Sequence, residues 1–146
     1  MCWKPHATVA CIIEDKGRFL FVEEYSNGKR VLNQPAGHLE ANETLVEGVM
    51  REVLEETRWQ VEITDLLGMY IYTPPHKNST YHRTCFVGRP VKEETERELD
   101  KDIIRTLWLS YEELQAEVER LRSPMVLKAL EDYLQGKRYP LEYIQE

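Results

Sequence analysis

The sequence predicts an α/β fold in which a mixed β-sheet lies between helical layers. Three observations predict it. Early strand segments such as Phe19-Leu20-Phe21-Val22 are apolar on both faces, which suits a sheet covered on two sides. Stripes of helical period occur both between the strands and after the last of them. The element order is strands, one helix, further strands and two helices, and a two-sided sheet buries such a chain best. The 146 residues fit one domain, 1–146, with a real core.

Residues 6–13 are expected to form the first strand. Glu14-Asp15-Lys16-Gly17 turns the chain, and residues 18–24 return as the second strand. Ser26-Asn27-Gly28-Lys29 is another turn. Asn33-Gln34-Pro35-Ala36-Gly37 reads as a loop that delivers the chain to a helix starting near Asn42 to Thr44. Thr44 with Glu47 can form a capping box, and Asn42 is an alternative cap. Further strands are expected around residues 61–72, 80–87 and 103–109. Loops separate them at residues 73–79, marked by Pro74-Pro75, and at the charged run 92–102. Ser110 to Glu113 starts a helix expected to carry Leu114, Val118 and Leu121 on one face. Ser123-Pro124 starts the last helix, with Leu127, Leu130 and Leu134 inward and Gly136 at its end.

The first helix carries two patterns. Leu45, Val49 and Val53 recur every four residues and form an apolar stripe. Glu52, Glu55 and Glu56 stand at i, i+3 and i+4, so three carboxylates share one edge. Alone, such an edge is usually a solvated face. Three like charges within a turn also repel unless a cation sits among them, and hard oxygen ligands suit Mg²⁺ or Mn²⁺.

The surrounding residues decide between these readings. Gly37 is followed after five residues by Glu43, and after seven more by Arg51-Glu52-Val53-Leu54-Glu55-Glu56. This spacing resembles the signature of the Nudix hydrolases, which cleave a nucleoside diphosphate linked to another moiety. Gly37, Glu43, Arg51, Glu52, Val53, Glu55, Glu56 and Trp59 all agree with it. The resemblance implies the Nudix α/β/α sandwich over the whole length. It also implies that Glu52, Glu55 and Glu56 bind divalent metal, with a backbone carbonyl near Ala36 and Gly37 completing the shell. Glu55, Glu56 and Arg51 become the catalytic candidates. Arg51 and Glu43 are expected to pair and hold loop and helix in register. Arg58 departs from the family pattern, which has glycine there. Glycine would let the chain leave the helix through a left-handed conformation, so arginine incurs a steric penalty or the helix ends differently. From sequence alone, Arg58→Gly is expected to leave activity within a fewfold.

Other residues are candidates for substrate contact. Asn33 and His38 lie on the polar approach to the helix, and Arg83 and Arg30 are candidate phosphate contacts. A strand arginine can equally be an edge charge that blunts aggregation. Tyr25, Tyr70, Tyr72 and Tyr81 can stack on a base, although strand aromatics more commonly pack cores. Glu40 stands beside the box, and Glu47 reads as a helix-start residue. The run Glu93, Glu94, Glu96, Glu98, Asp100 and Asp102 is mostly solvated. The resemblance implies that a carboxylate from such a loop can assist as ligand or base, without saying which.

Residues 4–13, 33–45 and 121–144 are similar to the NudJ-type phosphatases within the family. That subgroup removes orthophosphate from nucleoside tri- and diphosphates and from the diphosphate of hydroxymethylpyrimidine, a thiamine precursor. Two alternatives stay open: an ADP-ribose or sugar-nucleotide pyrophosphatase, and a non-catalytic Nudix domain that senses a nucleotide. Retention of all three glutamates speaks against the second.

Composition sets outer limits. Hydrophobic content of 42% and charged content of 31% describe a folded rather than a disordered chain. The net charge of −7 argues against general nucleic-acid binding. A phosphate substrate remains compatible, because bound cations reverse the local sign. The expected partner is a small phosphorylated molecule, a nucleotide above all, and a monomer is favoured over an oligomer. Cys2, Cys11 and Cys85 are odd in number and lack CxxC spacing, so they read as free thiols in a reducing compartment, with Cys11 and Cys85 in the core. The first apolar run, residues 7–13, is too short for a signal peptide or a membrane span, so a cytoplasmic location is expected.

Overall fold

Two strands with buried side chains on both faces organise the structure, a computed structural model that describes residues 2–146. β1 (His6–Asp15) sends Val9, Cys11 and Ile13 to one side and Ala10 and Ile12 to the other. β2 (Arg18–Ser26) divides in the same way, Leu20 against Phe19 and Phe21. Lys16 and Gly17, at φ 52° and 82°, turn the chain between them. The remaining elements are β3 (Lys29–Asn33), β4 (Ala36–His38), α1 (Leu45–Thr57), β5 (Trp59–Tyr72), β6 (Tyr81–Glu93), β7 (Ile103–Leu109), α2 (Tyr111–Gln115) and α3 (Pro124–Leu134).

The sheet is mixed. β1 runs parallel to β6 and antiparallel to β2 and β4. β5 lies outside β6, while β2 carries β3 and β7. On one face, Val49 and Val53 of α1 pack with Val9, Cys11, Ile13 and Phe86. On the other, Leu114 of α2 and Val126, Ala129 and Leu130 of α3 pack with Ala10, Ile12, Phe21 and Cys85. The architecture is the expected α/β/α sandwich. Cys11 and Cys85 are buried, Cys2 is exposed, and all three are free thiols. Among the described residues, no helix is long and apolar enough to cross a membrane.

β6 runs to Glu93, past its expected end at residue 87, and three further details depart from the sequence reading. The segment expected as a loop before α1 contains β4, whose three residues pair with Thr8, Val9 and Ala10. The helix begun by Ser110 stops at Gln115 and gives way to a 3₁₀ turn, Val118–Arg120, leaving Val118 exposed. The cause is tertiary: Leu121 bridges to Leu32, and the Arg122 N–H donates to the Leu32 carbonyl at 2.8 Å. In α3 Leu130 is buried and Leu127 packs partly buried against the core as expected, but Met125, Val126 and Ala129 supply the rest of the inward face and Leu134 is largely exposed.

Candidate active site

The acidic edge of α1 is placed by its N-terminus. Thr44 is the cap: its hydroxyl accepts from the Glu47 N–H at 3.0 Å, and the Glu47 carboxylate accepts from the Thr44 N–H at 2.8 Å. Asn42 instead turns the chain at φ 66°. With Val49 and Val53 locked in the core, Glu52 and Glu56 are buried and Glu55 is half-buried on the neighbouring edge. Arg51 ties this edge to the preceding loop. Its Nε and Nη2 donate to the two oxygens of Glu43 at 3.0 and 2.7 Å, and Nη1 donates to Glu52 at 2.8 Å and Glu55 at 2.9 Å. Nη2 also reaches the His38 carbonyl at 3.1 Å, and Glu40 lies 3.3 Å from Nη1. The bidentate hydrogen bond from Arg51 holds the Glu43 carboxyl down at about 2. Gly48 makes room for that pair, since a Cβ there would press on the Glu43 carboxylate. Glu47 is occupied by the cap and stands outside the cavity.

A cavity of about 480 Å³ opens beside this edge, a size suited to a small ligand. Glu40, Glu52, Glu56, Asp100 and Asp102 contribute acid to its lining, and Arg83, Arg122 and Lys77 contribute positive charge. Burial raises the Glu56 carboxyl to about 9, with Glu24, Glu52 and Asp100 adding repulsion, despite a 2.9 Å hydrogen bond from the Ala36 N–H. Burial likewise raises Glu52 and Asp100. Arg83 sits on β6 between β1 and β5, so it is not an edge charge. It is 5% exposed, and its partners are neutral: Nη1 donates to the Gln34 carbonyl oxygen at 3.2 Å and Nη2 to that of Asn33 at 3.3 Å. Its Nε is buried without a partner among the described residues.

The other sequence candidates divide. Asn33 is buried in the lining, where its amide nitrogen donates to Glu24 at 3.2 Å. His38 lines the cavity, and desolvation together with His6 lowers its imidazole pKa. Arg30 does not join them: it is exposed, with its guanidinium 5.9 Å from the Tyr25 ring, away from the lining. Tyr25 is equally exposed, and Tyr70 is a packing residue whose hydroxyl donates to Asp132 at 2.8 Å. Tyr72 and Tyr81 do line the cavity, with His6 stacked on Tyr81 at 4.9 Å.

Residues 4–130 match the family model of the NUDIX domain. The chain belongs to the Nudix hydrolase family. It is 42% identical to the Phosphatase NudJ of Escherichia coli K12 over 97% of this chain and 92% of that protein. A NUDIX hydrolase from Nitrosomonas europaea superposes with a TM-score of 0.95 at 42% identity, covering 98% of this chain and 97% of that one. An ADP-ribose pyrophosphatase from Streptococcus suis superposes with a TM-score of 0.68, covering 93% and 96% of the two chains. Its 16% identity shows a shared fold alone.

Nudix hydrolases use divalent metals, and the residues present here fit one. The buried Glu56 carboxyl, opposed by Glu24, Glu52 and Asp100, would gain from a cation beside it. Gly37 provides the close approach that a Cβ would fill, since an added Cβ would collide with the carboxylate of Glu52. Among the described residues the acids are not gathered into a ready-made cage. Arg51 Nη1 lies between Glu52 and Glu55 and serves as their cation.

Sequence reasoning missed Glu24, Arg122 and Lys77, which line the cavity, and did not separate Asp100 and Asp102 from their acidic run. Glu24 carried a usable signal, as one of two adjacent carboxylates, Glu23 and Glu24, that continue the apolar run Phe19 to Val22. It is 7% exposed and accepts from Arg122 at 2.7 Å.

Proposed function

We propose that this Nudix hydrolase cleaves phosphoanhydride bonds in nucleoside tri- and diphosphates, and in small diphosphates such as that of hydroxymethylpyrimidine, releasing orthophosphate. Mg²⁺ is its cofactor, with Mn²⁺ able to substitute, and the cytoplasm is its location. The near full-length 42% identity to Phosphatase NudJ carries this reading. The cavity agrees with it, because acidic and basic side chains line the same small volume.

Glu52, Glu55 and Glu56 would hold the metal. Bound there, a divalent cation would neutralise phosphate charge, polarise a phosphoryl oxygen and lower the pKa of a water. Arg83 meets phosphate oxygens: two neutral amides hold its guanidinium without quenching its charge, and its Nε–H is left to donate. Asn33 orients Arg83, because its amide is fixed at the other end by Glu24. Tyr72 and Tyr81 offer ring faces to a base. Arg51 keeps Glu52 and Glu55 aligned, and Glu43 holds Arg51.

Hydrolysis of GTP in isotope-labelled water with Mg²⁺ tests where the bond breaks. GDP and then GMP should appear, each with one orthophosphate, and label should enter orthophosphate only. Pyrophosphate release from GTP, or activity confined to ADP-ribose or sugar nucleotides, would refute the phosphatase reading and leave family membership intact.

Metal binding has a second readout. The folded Glu56 carboxyl stands at about 9 against an ordinary 4.5, so the folded state binds the extra proton between those values. Stability of the metal-free protein therefore falls as pH rises through that window. A divalent cation relieves the penalty, so Mg²⁺ should raise the melting temperature more at pH 8 than at pH 5.5. An equal shift at both, or none, counts against these carboxylates as the metal site.

A further inference from the structure

Arg58 holds a position where two local costs are visible. Its φ of 67° and ψ of 10° lie in the left-handed region, which favours glycine. Its Nε is also buried without a partner among the described residues. Glycine would remove both costs and keep the main-chain contacts: the Arg58 N–H donates to Leu54 at 2.9 Å, and its carbonyl accepts from the Glu94 N–H at 2.7 Å. The side chain adds what glycine cannot. Nη2 donates to the Glu93 carboxylate at 3.2 Å, and Nη1 donates to the Thr95 carbonyl at 3.2 Å. One residue thus grips three consecutive residues, 93–95, where the chain leaves β6.

The gripped segment leads to the cavity. Its far end is fastened to the same helix, where the Asp100 N–H donates to the Glu55 carbonyl at 3.0 Å. The next bond, from the Ile103 N–H to the Asp100 carbonyl at 3.0 Å, starts β7. Between the two fastenings, the Arg97 N–H donates to the Glu94 carbonyl at 2.9 Å, and the two side chains pair at 3.9 Å. The Asp100 carboxylate is delivered to the lining of the same cavity as Glu52 and Glu56.

We infer that Arg58 is a positioning residue: its guanidinium pins the segment after β6 to the end of α1, and so keeps Asp100 beside Glu52 and Glu56. The inference rests on the proposed metal-dependent hydrolysis for its kinetic readout, but not on which phosphoanhydride is cut. It reverses the sequence expectation of a near-neutral Arg58→Gly.

The test compares Arg58→Gly, Arg58→Lys, Asp100→Asn and the Arg58→Gly/Asp100→Asn double variant, using whichever substrate the unaltered protein hydrolyses. Arg58→Gly should lower kcat about tenfold and raise the Mg²⁺ concentration for half-maximal activity, with an unchanged or higher melting temperature. Hydrogen exchange at the Asp100 amide should quicken, while exchange in β1 and β6 stays slow. Arg58→Lys should recover part of the loss. The double variant should be no worse than Asp100→Asn, because both act through one carboxylate. Glu93→Gln, which keeps Arg58 and weakens only its ion pair, should show the same pattern more mildly, and it serves if the glycine variant folds poorly. The inference is overturned if Arg58→Gly stays within twofold in both kcat and Mg²⁺ requirement, if Asp100→Asn is neutral, or if the two losses multiply. Slow Asp100 exchange in Arg58→Gly would overturn it independently of any activity.

Discussion

Glu56→Gln is expected to reduce turnover by at least ~10²-fold while leaving the protein folded, as for loss of a metal-supported step. Glu56 is buried, it accepts a hydrogen bond from the Ala36 N–H, and Glu24, Glu52 and Asp100 all oppose its charge. Glutamine keeps the volume and can still accept from Ala36 through its amide oxygen, while removing a carboxyl that must bind a proton to stay buried. The metal-free melting temperature should therefore hold or rise as activity collapses, which separates a site role from a packing role. Glu55→Gln should lose at least ~10²-fold as well, by the same loss of a ligand or base. Its stability should change little, because the Arg51 contact it weakens is only one of several that Arg51 makes. Steady-state kinetics at saturating Mg²⁺ beside thermal denaturation decide both cases. Near-normal turnover in either variant, or full activity in excess EDTA, would sink the assignment of these carboxylates.

The acidic helix was readable because every relation in it is local. Cap, apolar stripe and glutamate edge all follow from helical spacing over residues 44–56, and the structure contains them at those positions. The strand pair β1–β2 was readable for the same reason, as two apolar runs joined by a turn. What failed depends on distant partners. β4 is too short to show a period and exists because β1 offers an open side at Thr8 to Ala10. α2 has a good start signal but no local stop. It ends because Leu121 and Arg122 must reach Leu32 on β3. The same detour carries Arg122 to the cavity, so it was invisible to local reasoning. α3 offers two apolar stripes at helical spacing, and Asp132, held by Tyr70, Lys128 and Lys137, settles which one turns inward. Arg30 and Arg83 stood alike as candidate phosphate contacts. Only the strand order separates them, placing Arg83 on an interior strand beneath the cavity and Arg30 in solvent.

Gly37→Ala should cost about 10²-fold in activity with little change in stability, because it displaces one carboxylate and nothing else of weight. Gly37 is not among the positive-φ residues, so alanine meets no backbone strain there. The added Cβ would collide with the Glu52 carboxylate, which is the end of a flexible side chain and can swing away cheaply. Swinging away is the damage: Glu52 leaves the strand β4 side of the cavity, and Arg51 loses its 2.8 Å partner. The pairing of Gly37 with Val9 involves main chain only and survives. Gly37→Ala should therefore resemble Glu52→Gln in kcat and in Mg²⁺ requirement, and adding it to Glu52→Gln should change little, since both remove the same group. Serine should behave like alanine, because the clash lies at Cβ. Activity of Gly37→Ala within a fewfold of the unaltered protein would mean that the Glu52 carboxylate is not needed where the fold holds it.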